Sequence, residues 1–99
     1  MIRGSTPLQE FEFEFDIAQF VEDLLVTYKQ DDIVFEKALK DGDVNRNIFS
    51  FSLTQEETLS LDANVSVYIQ AKVKTKNGQV LVSDIISRSV NEVLNDKVL

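Results

Sequence analysis

Between Glu10 and Ile17 apolar and acidic residues alternate without a break. Phe11, Phe13, Phe15 and Ile17 fall on one parity, and Glu10, Glu12, Glu14 and Asp16 on the other. A period of two places the aromatic rings on one face of a strand and the carboxylates on the opposite face, so the pattern predicts a half-buried strand. Its acidic outer face disfavours edge-to-edge pairing with a second copy. The next stretch carries two periods. Ile17, Phe20, Val21, Leu24, Leu25 and Tyr28 have helical spacing behind a capping Asp16, whereas Leu24, Val26 and Tyr28 alternate with Leu25, Thr27 and Lys29. The β-branched run at Val26-Thr27 and the turn residues Gln30-Asp31-Asp32 favour a helical turn near Ile17 to Val21, followed by a hairpin of 24–29 with 33–38.

Lys40-Asp41-Gly42-Asp43 is expected to turn, and Ile48, Phe49, Phe51 and Leu53 then mark another half-buried strand among serines. Thr54-Gln55-Glu56-Glu57 fits the capping box, which predicts one helical turn. From Asn64 to Val90 a long hairpin is expected around Asn77-Gly78, a pair suited to a type I′ turn. A two-residue loop there pairs Val73 with Val82 and Ile69 with Ile86, but sets Asp84 opposite inward-facing Ala71. A β-bulge near Ser83 would instead turn Ile85 inward. Short strands joined by turns predict one domain over 1–99. It is an all-β, antiparallel immunoglobulin-like β-sandwich of about six or seven strands with one or two short helical turns. Residues 1–7 form an N-terminal arm and residues 91–99 a C-terminal tail.

Composition narrows the chemistry. The 99 residues include no histidine, cysteine or tryptophan, which removes the commonest general base, thiolate ligands and disulfides. No apolar run reaches the length of a membrane span, and Met1-Ile2-Arg3-Gly4-Ser5 does not open a signal peptide. A soluble chain with no membrane partner and no signal-peptide export is therefore expected. The net charge is −7, with eleven acids against three lysines between Leu8 and Asp43. That field repels phosphate backbones, so no nucleic-acid partner is expected. It suits either a solvated face or docking of a basic partner.

The remaining constellations are weak as chemistry. Asp41-Gly42-Asp43-Val44-Asn45 imitates the start of a calcium loop, but Arg46 stands where glycine is needed and Ser52 where a bidentate glutamate is needed. Glu10, Glu12 and Glu14 are spaced about 6–7 Å apart along a strand, within the range of inverting glycosidases. A flat exposed stripe lacks the cleft such chemistry requires. Lys72, Lys74 and Lys76 beside Tyr68 form a solvated basic face, and Asn64-Val65-Ser66 matches a glycosylation pattern without an export signal to use it. No serine has a histidine to activate it. No catalytic residue, cofactor, metal or small-molecule substrate is expected, and the protein is not expected to be an enzyme.

An ordered series of short motifs carries a resemblance over nearly the whole chain. Gly4-Ser5-Thr6-Pro7 precedes the first strand, and Val26-Thr27-Tyr28-Lys29-Gln30 and Leu53-Thr54-Gln55-Glu56-Glu57-Thr58-Leu59 follow. Then come Val73-Lys74-Thr75-Lys76-Asn77-Gly78, Val82-Ser83-Asp84-Ile85 and a terminal Val98-Leu99. In this series the chain resembles small proteins encoded among structural genes in phages and prophages of Gram-positive bacteria. These look like the amino-terminal β-sandwich of phage upper-baseplate proteins. Gln30-Asp31-Asp32-Ile33 departs from the group, whose members tend to carry Asn-Gly there. The resemblance implies a non-catalytic structural or assembly module of a virion, tail or baseplate. It would act through other phage structural proteins or self-association, in the bacterial cytoplasm during assembly and then in the particle. Expected docking elements are the arm Gly4, Ser5, Thr6 and Pro7, the stripe Glu10, Glu12 and Glu14, and the tail residues Val93, Leu94, Val98 and Leu99. The alternative expectation is a carbohydrate- or cell-surface-binding sandwich for host adsorption, using Tyr28 or Tyr68 as a stacking platform.

Overall fold

The computed structural model describes residues 1–99. Alternating residues build eight strands: β1 (Leu8–Glu12), β2 (Val21–Gln30), β3 (Ile33–Ala38), β4 (Asp43–Asn45), β5 (Ile48–Ser52), β6 (Val67–Thr75), β7 (Val80–Val82) and β8 (Ile86–Arg88). Two short helices, α1 (Ile17–Phe20) and α2 (Gln55–Leu59), complete the set with a 3₁₀ turn at Leu39–Asp41. One antiparallel sheet has the order β1-β5-β4, and the other β3-β2-β6-β7, with β8 also paired to β6. This order corresponds to the B-E-D and C′-C-F-G sheets of an immunoglobulin-like sandwich. The count exceeds the expected six or seven because three-residue β4 forms where only a turn was expected, and the return strand of the long hairpin splits into β7 and β8.

The core forms where the inner faces of the two sheets meet. Leu24, Val26 and Tyr28 from β2, Phe49 and Phe51 from β5, and Val67, Ile69, Ala71 and Val73 from β6 are buried. Rings bridge the layers. Phe51 stacks on Phe11 at 5.9 Å, meets Tyr28 edge-on at 6.2 Å, and Tyr28 stacks on Phe35 at 4.9 Å. Such pairs add about 0.5–1.5 kcal/mol each beyond their buried area.

Three local expectations change. The first strand was expected to continue through Ile17 but ends at Glu12. Its partner β5 begins at Ile48 after a turn with Arg46 at φ 55°, so the ladder stops at the Phe13 N–H to Asn47 carbonyl bond of 2.8 Å. Asp16 then caps α1 through the Gln19 N–H. The burial alternation nevertheless persists, with Phe13 and Phe15 half-buried and Glu14 and Asp16 exposed.

The Asn77-Gly78 turn is not type I′. Only Gly78 has positive φ, at 88°. The Gly78 N–H bonds to the Thr75 carbonyl at 2.9 Å, and the Thr75 N–H to the Gln79 carbonyl at 2.8 Å. These bonds define a three-residue loop, a type I turn followed by a glycine bulge. Val73 consequently faces Leu81 rather than Val82.

The register then recovers. Ile69 faces Ile86 as expected, so Ser83–Ile85 carries one residue more than the facing segment of β6. Ser83 Oγ accepts the Ala71 N–H at 2.9 Å, standing in for a ladder carbonyl. The bulge forms near Ser83 but turns Ile86, not Ile85, toward the core, leaving Ile85 62% exposed. It also moves Asp84 off the inward-facing position, where burial of its carboxylate would be costly.

Candidate functional site

Along one side of the sandwich the two sheets do not close. β1 is the border strand of its sheet, and β7 and β8 are the border of the other. Between these borders lies a groove of about 710 Å³, with Phe11, Phe13 and Phe15 on one wall, Leu81 and Ile86 on the other, and Ala71 and Val73 at its base. Glu10, Glu12 and Glu14 line the rim on the β1 side and Asp84 on the far side. A second depression of about 470 Å³ shares Phe15 and Leu81 and extends to Phe20 and Lys76. Leu81 and Val82 of the groove lining are exposed, as are Val80 and Ile85 close by in the chain. An apolar run on a border strand is the surface that natural sheets usually cover or charge.

The backbone at the β1 border is open too. Pro7 accepts from the Leu53 N–H and Phe13 donates to Asn47, in the register that pairs Gln9 with Phe51 and Phe11 with Phe49. Antiparallel pairing alternates, so the peptide groups of the intervening Glu10 and Glu12 point away from β5, toward solvent. The same reasoning directs the backbone of Val80 and Val82 away from β6, because the Ser83 and Gln79 bonds fix the opposite parity.

The other expected docking residues sit elsewhere. The arm is folded back on the domain. Gly4, at φ 78°, lies against Leu59, the Ser5 carbonyl accepts from Thr58 Oγ1 at 2.8 Å, and Pro7 holds Leu53; Thr6 alone of the four is exposed. Arg3 fastens this region by donating to the Leu61 and Leu59 carbonyls at 2.7 and 3.1 Å and to Glu92 at 3.0 Å. The Val93 N–H bond and then Arg3 hold the Glu92 carboxyl below the usual glutamate range. In the tail Val93 is half-buried, while Leu94, Val98 and Leu99 are exposed and the Leu99 N–H reaches Gln55 Oε1 at 2.9 Å. Arm and tail therefore lie at a different place from the groove. Only the glutamate stripe joins it, and the stripe rims a cleft instead of lying on the flat surface expected.

Two polar features inside the sandwich are structural. Alternation through Ile33 and Phe35 turns Lys37 inward, where Nζ meets Glu57 Oε1 at 2.7 Å. That same oxygen accepts the Thr54 N–H at 2.8 Å in the α2 capping box. Gln30, fully buried, spends its amide on the Asp62 N–H and the Asp62 and Val65 carbonyls, at 2.6, 2.9 and 3.0 Å. Tyr28 is buried in the core and cannot stack on a sugar, which leaves Tyr68 as the exposed tyrosine. Lys72 and Lys74 are exposed along β6 and Lys76 in the loop that follows it, with Lys74 3.9 Å from Glu22.

The groove is not legible in the sequence. Its phenylalanines and glutamates were visible as an alternating strand, but the opposite wall depended on the parity of β7. No family model, curated protein or solved structure matches the chain.

Proposed function

We propose that the protein is a non-catalytic structural or assembly module of a phage or prophage particle, acting by protein–protein interaction. The observation that carries the binding role is the open side of the sandwich. An apolar groove there is lined by Phe11, Phe13, Phe15, Leu81, Val82 and Ile86, and apolar surface of this kind marks interaction sites. The phage setting rests on the ordered motif resemblance from Gly4 to Leu99. Affinity capture with the tagged full chain from prophage-induced cells, combined with mass spectrometry of purified particles, tests the reading. Enrichment of particle proteins in the capture is the expected result. Recovery of none of them, with the chain also missing from the particles, would overturn it.

A further inference from the structure

We infer that the groove takes one extended segment of a partner protein, alternating apolar and basic residues, which adds to the free border of β1 as an extra strand. This rests on the reading of the protein as a binding module and names its partner's chemistry.

Three features define the occupant. Glu10 and Glu12 present their peptide groups away from β5, which is the template for strand addition. On the inner face, Phe11 and Phe13 look into the groove opposite Leu81 and Ile86, so alternate side chains of an added strand would be apolar. On the outer face, the neighbours of that strand would be the exposed carboxylates of Glu10 and Glu12, continued by Glu14. Opposite charges facing across a strand pair stabilise it, and like charges destabilise it. The outward positions therefore call for lysine or arginine. The border of β1, Leu8–Glu12, accommodates about five residues at about 3.3 Å each, and the groove wall continues past it to Phe15.

The same features exclude the competitors within this chain. A second copy of β1 would oppose glutamate with glutamate. The chain's own apolar–basic alternation, Val73-Lys74-Thr75-Lys76, is sequestered between β2 and β7. In the tail, Glu92 and Asp96 stand against Lys97 alone, the wrong charge for this rim. The acidic stripe thus acts as a filter, blocking homotypic pairing while admitting a basic strand.

The test uses the full chain and three labelled peptides with six-residue cores: valine–lysine, valine–glutamate and serine–lysine. Fluorescence anisotropy should show the valine–lysine peptide binding at least about tenfold more tightly than either other. It should weaken by a similar factor in Glu10→Lys/Glu12→Lys, and in about 1 M salt, where the screening length falls to about 3 Å. Glu10→Pro should abolish binding, because it removes an outward N–H while leaving the β5 ladder intact; retention of its fold is checked by its melt. Hydrogen exchange should show the Glu10 and Glu12 amides protected only in the complex. Equal binding of the serine–lysine peptide would mean bare charge attraction and overturn the inference. So would equal binding of the valine–glutamate peptide, absent protection, or dimerisation of the chain through this border. Such a result leaves the particle-capture experiment free to stand or fall separately.

Discussion

At the residue scale, single side chains carry stability through the polar atoms they satisfy. Glu57 serves both the α2 cap and Lys37, so Glu57→Gln leaves a buried ammonium without its counter-charge. A loss of about 1–3 kcal/mol is expected in denaturant melts. Lys37→Met keeps the volume and removes the charge, and should stay within about 1 kcal/mol of the parent. Equal losses would mean that the ion pair is not what holds β3 against α2. At the Asn77-Gly78 loop the observed geometry separates two neighbours. Gly78 has φ 88° and open space around it, so Gly78→Val should cost about 1–3 kcal/mol through backbone strain alone. Lys76→Ala, exposed on the same loop, should change stability by less than about 0.5 kcal/mol. A type I′ turn would also demand positive φ at Asn77. Asn77→Ala should cost only the two bonds its Oδ1 accepts, from the Thr75 hydroxyl and from the Gln79 N–H at 3.3 Å, and clearly less than Gly78→Val.

At the element scale, packing between backbones decides which substitutions are tolerated. Gly42 has an extended φ that any residue adopts, yet an added Cβ would lie 2.3 Å from the Ser50 carbonyl and 2.9 Å from Phe49. Gly42→Ala must therefore push β4 away from β5, at a cost of about 1–3 kcal/mol. Hydrogen exchange should show the loss first in the Asp43–Asn45 amides; unchanged protection would argue that this border strand is loose already. The bulge between β7 and β8 is held by Ser83 Oγ on the Ala71 N–H. Ser83→Ala strips that partner from an inner ladder position, with an expected cost of about 1–3 kcal/mol.

At the scale of the whole molecule, the ring cluster joins the two sheets and couples stability to alkaline pH. Burial, reinforced by Glu57 and opposed by Arg88, pushes the Tyr28 phenol well above its ordinary value. Below pH about 10 the tyrosine is protonated in both states and contributes no pH dependence. Above it the unfolded chain loses the proton first, so stability falls with rising pH until the folded phenol also ionises. The slope approaches about 1.4 kcal/mol per pH unit. Tyr28→Phe gives up the 3.2 Å bond to Gln9 Oε1 but should flatten this part of the alkaline stability profile. A profile identical to the parent would show that Tyr28 does not control it.

Local information determined much of this architecture on its own. The α1 turn, the β2–β3 hairpin, the β5 alternation and the α2 capping box were all legible, because period, caps and turn residues act over a few neighbouring positions. The all-β sandwich followed from them. The tertiary structure decided where elements end and which parity faces inward. Phe13 and Phe15 alternate like strand residues, but β1 stops where β5 turns away. Asn-Gly is compatible with two turns, and only the pairing of Leu81 with Val73, followed by the Ser83 bulge, fixes the return strand. Those choices depend on partners distant in the chain, and a slip of one residue exchanges the two faces of a strand. For the same reason the groove was hidden: its phenylalanine wall is a local pattern, but its opposite wall exists only through the register of β7 and β8.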